Sequence, residues 1–497
     1  MSRPLSAVHG PGAVGELRAT LRRYARAHPD RAAVRAGPDG DDALSWRLLH
    51  DRANDVAANA HGLTGRPGPV VLLLDSTPAS VATLLGLLLA AADLLLVEAD
   101  NSHLADEGSA VRGAGPAAIV VPPGRRPVVP DSIPVYDYAD LAGPHRAPSA
   151  PGRPDHRDPA VLQLTSGSTG EPRITRQTLG AALRGAAAYR EVYRLGGADT
   201  SLVTVPLAHA FGLICGALTA LTSGATLVTV PRFTVRAVLD GLRSGATVLL
   251  GAPLGYELLA AALPAGAPPP ELRLALSSGS PLPERTRARA TAALGRPLHQ
   301  VYGSTEAGLI ACQYDRAQPW PEESVGLAGP GVRWRIRPSA PGESEGSLLV
   351  STPAMFRGYL DGPAALTADG FLDTGDIARV DEAGHLFLVA RKSTFVNVGG
   401  RKVNPRRIER IAEQHPGVRE ISVFGVGGID REEQLHAAVA LEAGTGAEEL
   451  LAHCRSRLMP YEVPRHVHVY DRLPRTGMGK VDRRKLIESV AHQATRG

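Results

Sequence analysis

The sequence predicts a two-domain α/β protein: a large N-terminal domain of parallel sheets covered by helices, with a smaller β subdomain, followed by a small α+β C-terminal domain. Three observations predict it. The chain has 497 residues, too many for one compact core. Up to residue 390, short apolar runs alternate with helix-length segments, the spacing of β-α-β units. From Arg391 onward the pattern turns charged, with two strand-like and two helix-like segments.

In chain order, Val70 to Leu74 is a Val/Leu run that reads as a strand, Pro78 to Ala92 is long enough for a buried helix, and Leu94 to Val97 is apolar again. Strand-like runs recur at Ser201 to Val205, Ala225 to Val230, Thr247 to Leu250 and Leu272 to Leu276, separated by helix-length segments or Gly/Pro turns. Between Glu343 and Leu349 and between Gly384 and Val389 the strands shorten and the turns become acidic and Gly-rich, marking the β subdomain. In the C-terminal part, Asn404 to Gln414 and Ala447 to Leu458 read as helices, and Ile421 to Val426 and Leu435 to Leu441 as strands. The domains are therefore expected at 1–390 and 391–497. No internal repeat is visible, and Arg146 to Asp158, rich in Pro and Arg, reads as a surface loop.

Composition excludes several classes. Apolar residues are 43% and charged residues 21%, and the net charge of +4 comes from 54 basic and 50 acidic residues interspersed through most of the chain, which gives no basis for a nucleic-acid partner. The N-terminal MSRPLSAVHGPG has no apolar signal core, and the longest apolar stretch, Val81 to Ala92, stops at Asp93, short of a membrane span. A cytoplasmic protein with no membrane partner is expected. Cys215, Cys312 and Cys454 are too far apart in sequence for a disulfide framework or metal-ligand spacing and read as packing residues. Lysine occurs only at 392, 402, 480 and 485, a bias that looks like a GC-rich coding background and makes each retained lysine a candidate for chemistry.

The first chemical motif is LTSGSTGEPR, Leu164 to Arg173, directly after the apolar run Ala160 to Leu164. A loop of Thr, Ser and Gly can turn many N–H groups and hydroxyls onto one concave surface, as a nucleotide's phosphates require. No Gly-Lys-Ser/Thr closes it, so it is not a Walker loop. By composition alone a flexible turn is an equal reading. Four later segments change the balance: PLAHAFG at Pro206 to Gly212, SSGSPL at Ser277 to Leu282, YGSTEAG at Tyr302 to Gly308, and the group LDTGD (Leu372 to Asp376), ARKSTFVNVGGRKVNP (Ala390 to Pro405) and LPRTGMGKVDRRKL (Leu473 to Leu486).

In this order the set resembles the adenylate-forming superfamily of acyl-CoA synthetases, peptide-synthetase adenylation domains and firefly luciferase, over essentially the whole chain. The resemblance implies an N-terminal domain of stacked α/β subdomains and a mobile C-terminal domain that turns about a hinge near Ser393. It implies an acid-CoA ligase using ATP, Mg2+ and coenzyme A. Coupling a carboxylate to an α-phosphate brings two anions together, so charge neutralisation is the main task. Glu306, beside Thr305, offers a hard oxygen, and the resemblance makes it the magnesium ligand together with Thr165. Thr165, Ser166, Gly167, Ser168, Thr169, Gly170 and Arg173 would cradle the phosphates. Tyr302 offers a flat face for adenine, the backbone at Ser278, Gly279 and Ser280 can approach the base, and Gly303, Ser304 and Thr305 complete that wall. Asp376 can accept from both ribose hydroxyls and Arg391 can donate to ribose or phosphate. Lys480, on a Gly-flanked tip, matches the family's catalytic lysine, a compact ammonium able to reach between carboxylate and α-phosphate. Lys402 and Lys485 read as surface charges.

For the acid, Ala208, His209, Ala210, Phe211, Gly212, Cys215, Ser277 and Gly303 are the pocket candidates. No acidic residue follows PLAHAFG through Pro231, so a free α-amino acid, whose ammonium would be buried unpaired, is disfavoured. Small residues leave room for an apolar aryl, polycyclic or fatty acid. His209 gates the pocket, approaches the carboxylate, or is structural. The thioester face would carry Asn397, Val398, Gly399, Gly400, Arg401 and Lys402, with Arg401, Lys402, Arg406, Arg407 and Arg410 as a basic entrance for coenzyme A, or for a carrier protein, or simply a solvated helix face. Three positions depart from the family: Arg173 replaces a usual lysine, Asn397 stands at a variable position often held by lysine, and Ser393 replaces the usual Asp or Lys at the hinge. Arg is not Lys on a phosphate chain. The exchange keeps open a protein that performs only the thioester half, starting from a preformed acyl adenylate. A stand-alone adenylating enzyme loading a carrier protein or an amine, activation of a small inorganic acid, and a noncatalytic adenylate-binding protein are further alternatives. Oligomeric state and the acid's identity are not legible.

Overall fold

The computed structural model describes residues 12–37, 42–64, 66–100, 106, 108–143, 156–165, 173–263, 268–398, 401–427, 433–476 and 479–494. Among them, thirteen strands form one sheet and eight another, with a two-stranded ribbon and a three-stranded C-terminal sheet.

The eight-stranded sheet is built around Val70–Leu74, whose five positions are all buried, as a central parallel strand covered on both faces requires. Leu94–Glu98 and Ala118–Val121 flank it in parallel, and Ala160–Leu164 continues the sheet beyond Leu94–Glu98. Between the first two strands runs helix Pro78–Leu89. It starts where the Thr77 hydroxyl accepts from Ser80 N, with Pro78 in the first turn, and its positions are buried all round, so it packs as an interior helix rather than an amphipathic one. Ile174–Thr178 returns antiparallel to Ala160–Leu164, so the cradle segment is the connection of a hairpin at the carboxyl end of a parallel strand.

The larger sheet has a parallel half, with Ala32–Ala36, Thr226–Thr229, Thr200–Val203, Val248–Gly251, Leu274–Ser277 and Leu298–Ser304 in spatial order. Its other half is antiparallel: Gly308–Cys312, Ser324–Ala328, Leu386–Arg391, Leu372–Val380, Gly346–Ser351 and Arg333–Pro338. The β subdomain expected from residues 343–389 is therefore joined edge to edge with the parallel strands, while keeping its own core of Ile310, Val325, Leu348, Val350, Phe356 and Leu386. Strand ends match the sequence reading or differ by up to three residues: apolar runs such as the one beginning at Leu272 extend past the ladder, while Val418–Gly427 and Glu433–Leu441 continue the ladder through polar residues. The three cysteines are buried and unpaired, as expected of packing residues.

A separate core forms from Val396, Ile408, Val423, Leu435, Val439 and Leu450, between helices Pro405–Glu413 and Ala447–Arg455 and strands Val418–Gly427 and Glu433–Leu441. This unit is docked on the preceding one through Arg285, which donates to Glu442 at 3.0 Å, and Arg410, which meets Glu323 at 2.5 Å. Gly479 lies beside Leu254, close enough that a Cβ at this glycine would be 3.5 Å from the leucine side chain. No described helix is long and apolar enough to cross a membrane. Most of the loop expected at Arg146 to Asp158 lies outside the described residues.

Candidate active site

The strand ends converge on one group of polar side chains. Leu298–Ser304 delivers Tyr302, whose phenol donates to Asp376 Oδ2 at 2.5 Å. Asp376 lies on Leu372–Val380, paired in register with Arg391 on Leu386–Arg391, and its Oδ1 is 3.9 Å from the Arg391 Nε. Burial holds the Asp376 carboxyl above the usual range against the pull of Arg391 and the Tyr302 bond, and burial drives the Tyr302 phenol far up.

Glu306 follows in the same segment and is half-buried. Its Oε1 accepts from the Tyr359 phenol at 3.1 Å, and Tyr359 is pushed up to about 12 by burial first and by the Glu306 charge second. Over the same ring sits the Arg173 guanidinium, 3.6 Å from the centroid, gripped by Asp361 through bonds of 2.8 and 3.2 Å. The pairing Tyr359↔Thr175 places Arg173 and Asp361 opposite each other across two antiparallel strands. Nothing in the local spacing joins two residues so far apart in sequence; only the register does.

The base of the cradle is closed by Thr165. Its N–H donates to Arg173 O at 2.8 Å, and its hydroxyl donates to that oxygen and accepts from Arg173 N–H, both at 3.2 Å. Ser166, Gly167, Ser168, Thr169 and Gly170 lie outside the described residues. Across the group, Ser278 donates to Val301 O at 2.9 Å, and Gly279 has φ +95, a conformation side chains resist. At Gly303, a Cβ would collide with Gly308 O where the strand turns back on itself. Ser280, Ser304 and Thr305 are partly exposed beside these turns.

Lys480 reaches this group from the C-terminal unit. Its turn is closed by Thr476 N–H to Lys480 O at 2.8 Å and Gly479 N–H to Thr476 O at 2.9 Å. Burial, then the Arg391 charge, hold its amine below the usual lysine range, with Glu306 opposing. A polar group of Tyr302, Glu306, Asp376, Arg391 and Lys480 is thus assembled from strands, turns and one loop.

The PLAHAFG segment forms a tight turn and then an unusual π-helix, Phe211–Leu218. Ala208 and Phe211 are nearly covered, Ala210 is partly exposed, and Cys215 belongs to the central core. Gln163 donates to Ala208 O at 2.7 Å, which pins this turn to the strand that opens the cradle. The surprise is Glu98: its Oε1 lies 2.6 Å from His209 Nε2. A search for acidic residues downstream of PLAHAFG misses this one, which lies far upstream. Its signal was a carboxylate at the carboxyl end of an apolar strand, LLLVE, where α/β sheets bind ligands.

The expected thioester face is apart from this group. Asn397 N–H donates to Glu433 at 2.7 Å, and Arg401 stacks on Tyr461 at 4.6 Å. Gly399 and Gly400 lie outside the described residues, while Ser393 falls in the 3-10 turn Lys392–Thr394 directly after Arg391. At the face expected to be basic, three of the five named cations are ion-paired. Arg406 pairs with Glu409 and Glu413 of its own helix, Arg407 with Glu462 in the 3-10 turn Pro460–Glu462, and Arg410 with Glu323 in a turn of the N-terminal domain, so these three cations have acidic partners.

Residues 21–360 match the family model of the AMP-binding enzymes, and residues 407–480 match that of their C-terminal domain. The chain belongs to the AMP-binding enzyme family. This AMP-binding enzyme is 32% identical over 487 residues to a feruloyl-CoA synthase of Amycolatopsis sp, covering 92% of the chain and 96% of the relative. It is 31% identical over 360 residues to a long-chain-fatty-acid–CoA ligase of Bacillus subtilis, spanning 67% of the chain and 62% of that protein's length. Among solved structures it resembles MatB of Rhodopseudomonas palustris at 25% identity, covering 96% of this chain and 99% of that one, with a TM-score of 0.83 to the ATP-bound form. The TM-score to the apo form is 0.72. The AMP-binding enzyme's fold, stacked α/β sheets with a small C-terminal domain, is that of these structures.

Proposed function

We propose that the protein is an AMP-forming acid–CoA ligase. A carboxylate oxygen attacks the α-phosphorus of ATP, a carboxyl–phosphate bond forms and pyrophosphate leaves; the thiol of coenzyme A then attacks the acyl carbon, losing its proton as AMP departs. The observation that carries the reading is the placement of the buried Lys480 amine within the electrostatic reach of Arg391 and Glu306, which are themselves joined to the Asp376 and Tyr359 hydrogen-bond group. A lysine turn packed with the C-terminal core of Phe424, Leu473 and Leu486, in a chain with four lysines, approaches this polar group of the N-terminal domain. The greater likeness to ATP-bound than to apo MatB supports the same arrangement. Relatives named as feruloyl-CoA synthase and fatty-acid–CoA ligase support the reaction class.

In this reading Tyr302, Asp376 and Ser278 to Ser280 hold the nucleoside, Arg391 and Lys480 offset charge on the α-phosphate, and Thr165 with Arg173 frames the phosphate loop. Glu306 fits a magnesium site of the substrate-assisted kind: it supplies one carboxylate, and the described residues hold no cluster of three or more His, Cys, Asp or Glu side chains able to cage an ion, so phosphates and water would supply the other oxygens. Bound there, magnesium would neutralise phosphate charge. The C-terminal unit, hinged at Ser393, would then turn to present the Asn397 to Lys402 face to the thiol. The acid is a non-amino acid with an apolar body, aryl, polycyclic or fatty, lying along Ala208, Ala210, Phe211 and Gly303.

One observation favours a second reading. Arg173, the cation expected on the outer phosphates, is engaged by Asp361 and Tyr359, which suits an enzyme that receives its acyl adenylate ready-made. Pyrophosphate release with ATP, magnesium and a panel of aryl, fatty and polycyclic acids, with and without coenzyme A, tests both. Acid-dependent release followed by thioester supports the full ligase. Thioester from a supplied adenylate alone establishes the half reaction.

A further inference from the structure

Glu98 closes the strand Leu94–Glu98, and His209 follows the turn that Gln163 pins from the neighbouring strand. The pairing Leu96↔Gln163 puts Glu98 and Thr165 at the same level as the two parallel strands end, one facing the acid turn and the other opening the phosphate cradle. Side-chain exposures of 28% for Glu98 and 29% for His209 leave the pair partly open to solvent. Its position raises a physical problem. The proposed reaction brings an anionic acid toward a polyanionic nucleotide, and a bare carboxylate at this spot repels both. His209 is the one side chain among the described residues bonded to it.

We infer that Glu98 is a positioning residue for the acid site, acting through His209. Its carboxylate accepts from the His209 Nε2–H, fixing the ring so that Nδ1, which no described residue engages, faces the acid site and, carrying a proton, donates to the acid or its adenylate; in return the ring screens Glu98 from the incoming carboxylate. This rests on the acid–CoA ligase reading. It makes the two residues one unit: removing His209 alone is worse than removing both functions, because only the first leaves an uncompensated carboxylate.

The experiment compares wild type, Glu98→Gln, His209→Ala and the double variant, measuring kcat and KM for one accepted acid, KM for ATP and the thermal midpoint. Glu98→Gln keeps the shape and removes the charge, so loss of folding does not confuse the result. His209→Ala is expected to raise the acid KM about tenfold or more, and the double variant to recover about threefold or more of that loss, with the ATP KM unmoved. Glu98→Gln alone lowers kcat. Effects that simply multiply, or an ATP KM that moves with the acid KM, overturn the inference while leaving the ligase reading intact. A wild type that turns over no acid, and makes no thioester from a supplied adenylate, overturns the ligase reading and this inference together.

Discussion

Arg173 and Asp361 face each other across an antiparallel strand pair, joined by two hydrogen bonds of 2.8 and 3.2 Å while the guanidinium lies over Tyr359. The contact is exposed, with side-chain exposures of 44% and 64%, so it is easily exchanged for a phosphate. Asp361→Asn should therefore lower the KM for ATP by about two- to fivefold, the range of an exposed pair. Arg173→Lys should lose the two-point grip and the ring stacking, and behave like Asp361→Asn rather than like Arg173→Ala. Steady-state kinetics in ATP check both, and an unchanged KM in Asp361→Asn would show that Arg173 serves the fold alone.

Lys480 is the group whose loss should separate the two half reactions. Lys480→Ala should reduce acid-dependent pyrophosphate release by about 10²–10³, while thioester formation from a supplied acyl adenylate persists. Because its pKa is lowered, adenylation should fall on the alkaline side below the ordinary lysine range. The same shift has a stability sign: between the lowered folded value and the ordinary one the unfolded chain binds more protons, so stability rises with pH through that window. Lys480→Met, which cannot take a proton, should flatten that rise in chemical denaturation.

Tyr302 and Asp376 predict the acid limb. Asp376 is already raised by burial, and the Tyr302 bond pulls it down. Tyr302→Phe should move the acid limb of adenylation to higher pH and cost about 1–3 kcal/mol for the lost bond to a charged acceptor. Here the folded value lies above the unfolded one, so the ionised carboxylate costs stability at neutral pH, a cost regained as pH falls through the folded value. A pH profile and a denaturation curve of the variant read the two effects separately.

Gly212 ends the PLAHAFG turn, and a Cβ there would drive into the carbonyl of Pro206. Backbone cannot move aside as a side-chain tip can. Gly212→Ala should cost about 1–3 kcal/mol from overpacking and displace the His209 turn. The expected signature is a lower thermal midpoint with a larger loss in acid KM than in ATP KM.

Several features needed only the chain. The β-α-β alternation set by Val70 to Val97 is legible, because a buried parallel strand requires a continuous apolar run, and Tyr302, Glu306, Asp376, Arg391 and Lys480 stand out as candidates through the ordered motifs that carry the family resemblance. What the chain could not disclose was partnership. Asp361 beside Arg173, Glu98 beside His209, and the acids that pair with Arg407 and Arg410 come from strands and turns set apart in sequence. Such contacts depend on strand register and on how separate units dock, and a one-residue slip of register would turn each side chain to the opposite face. Local pattern carries the identity of the charges; the tertiary structure decides which of them meet, and therefore which remain available for a substrate.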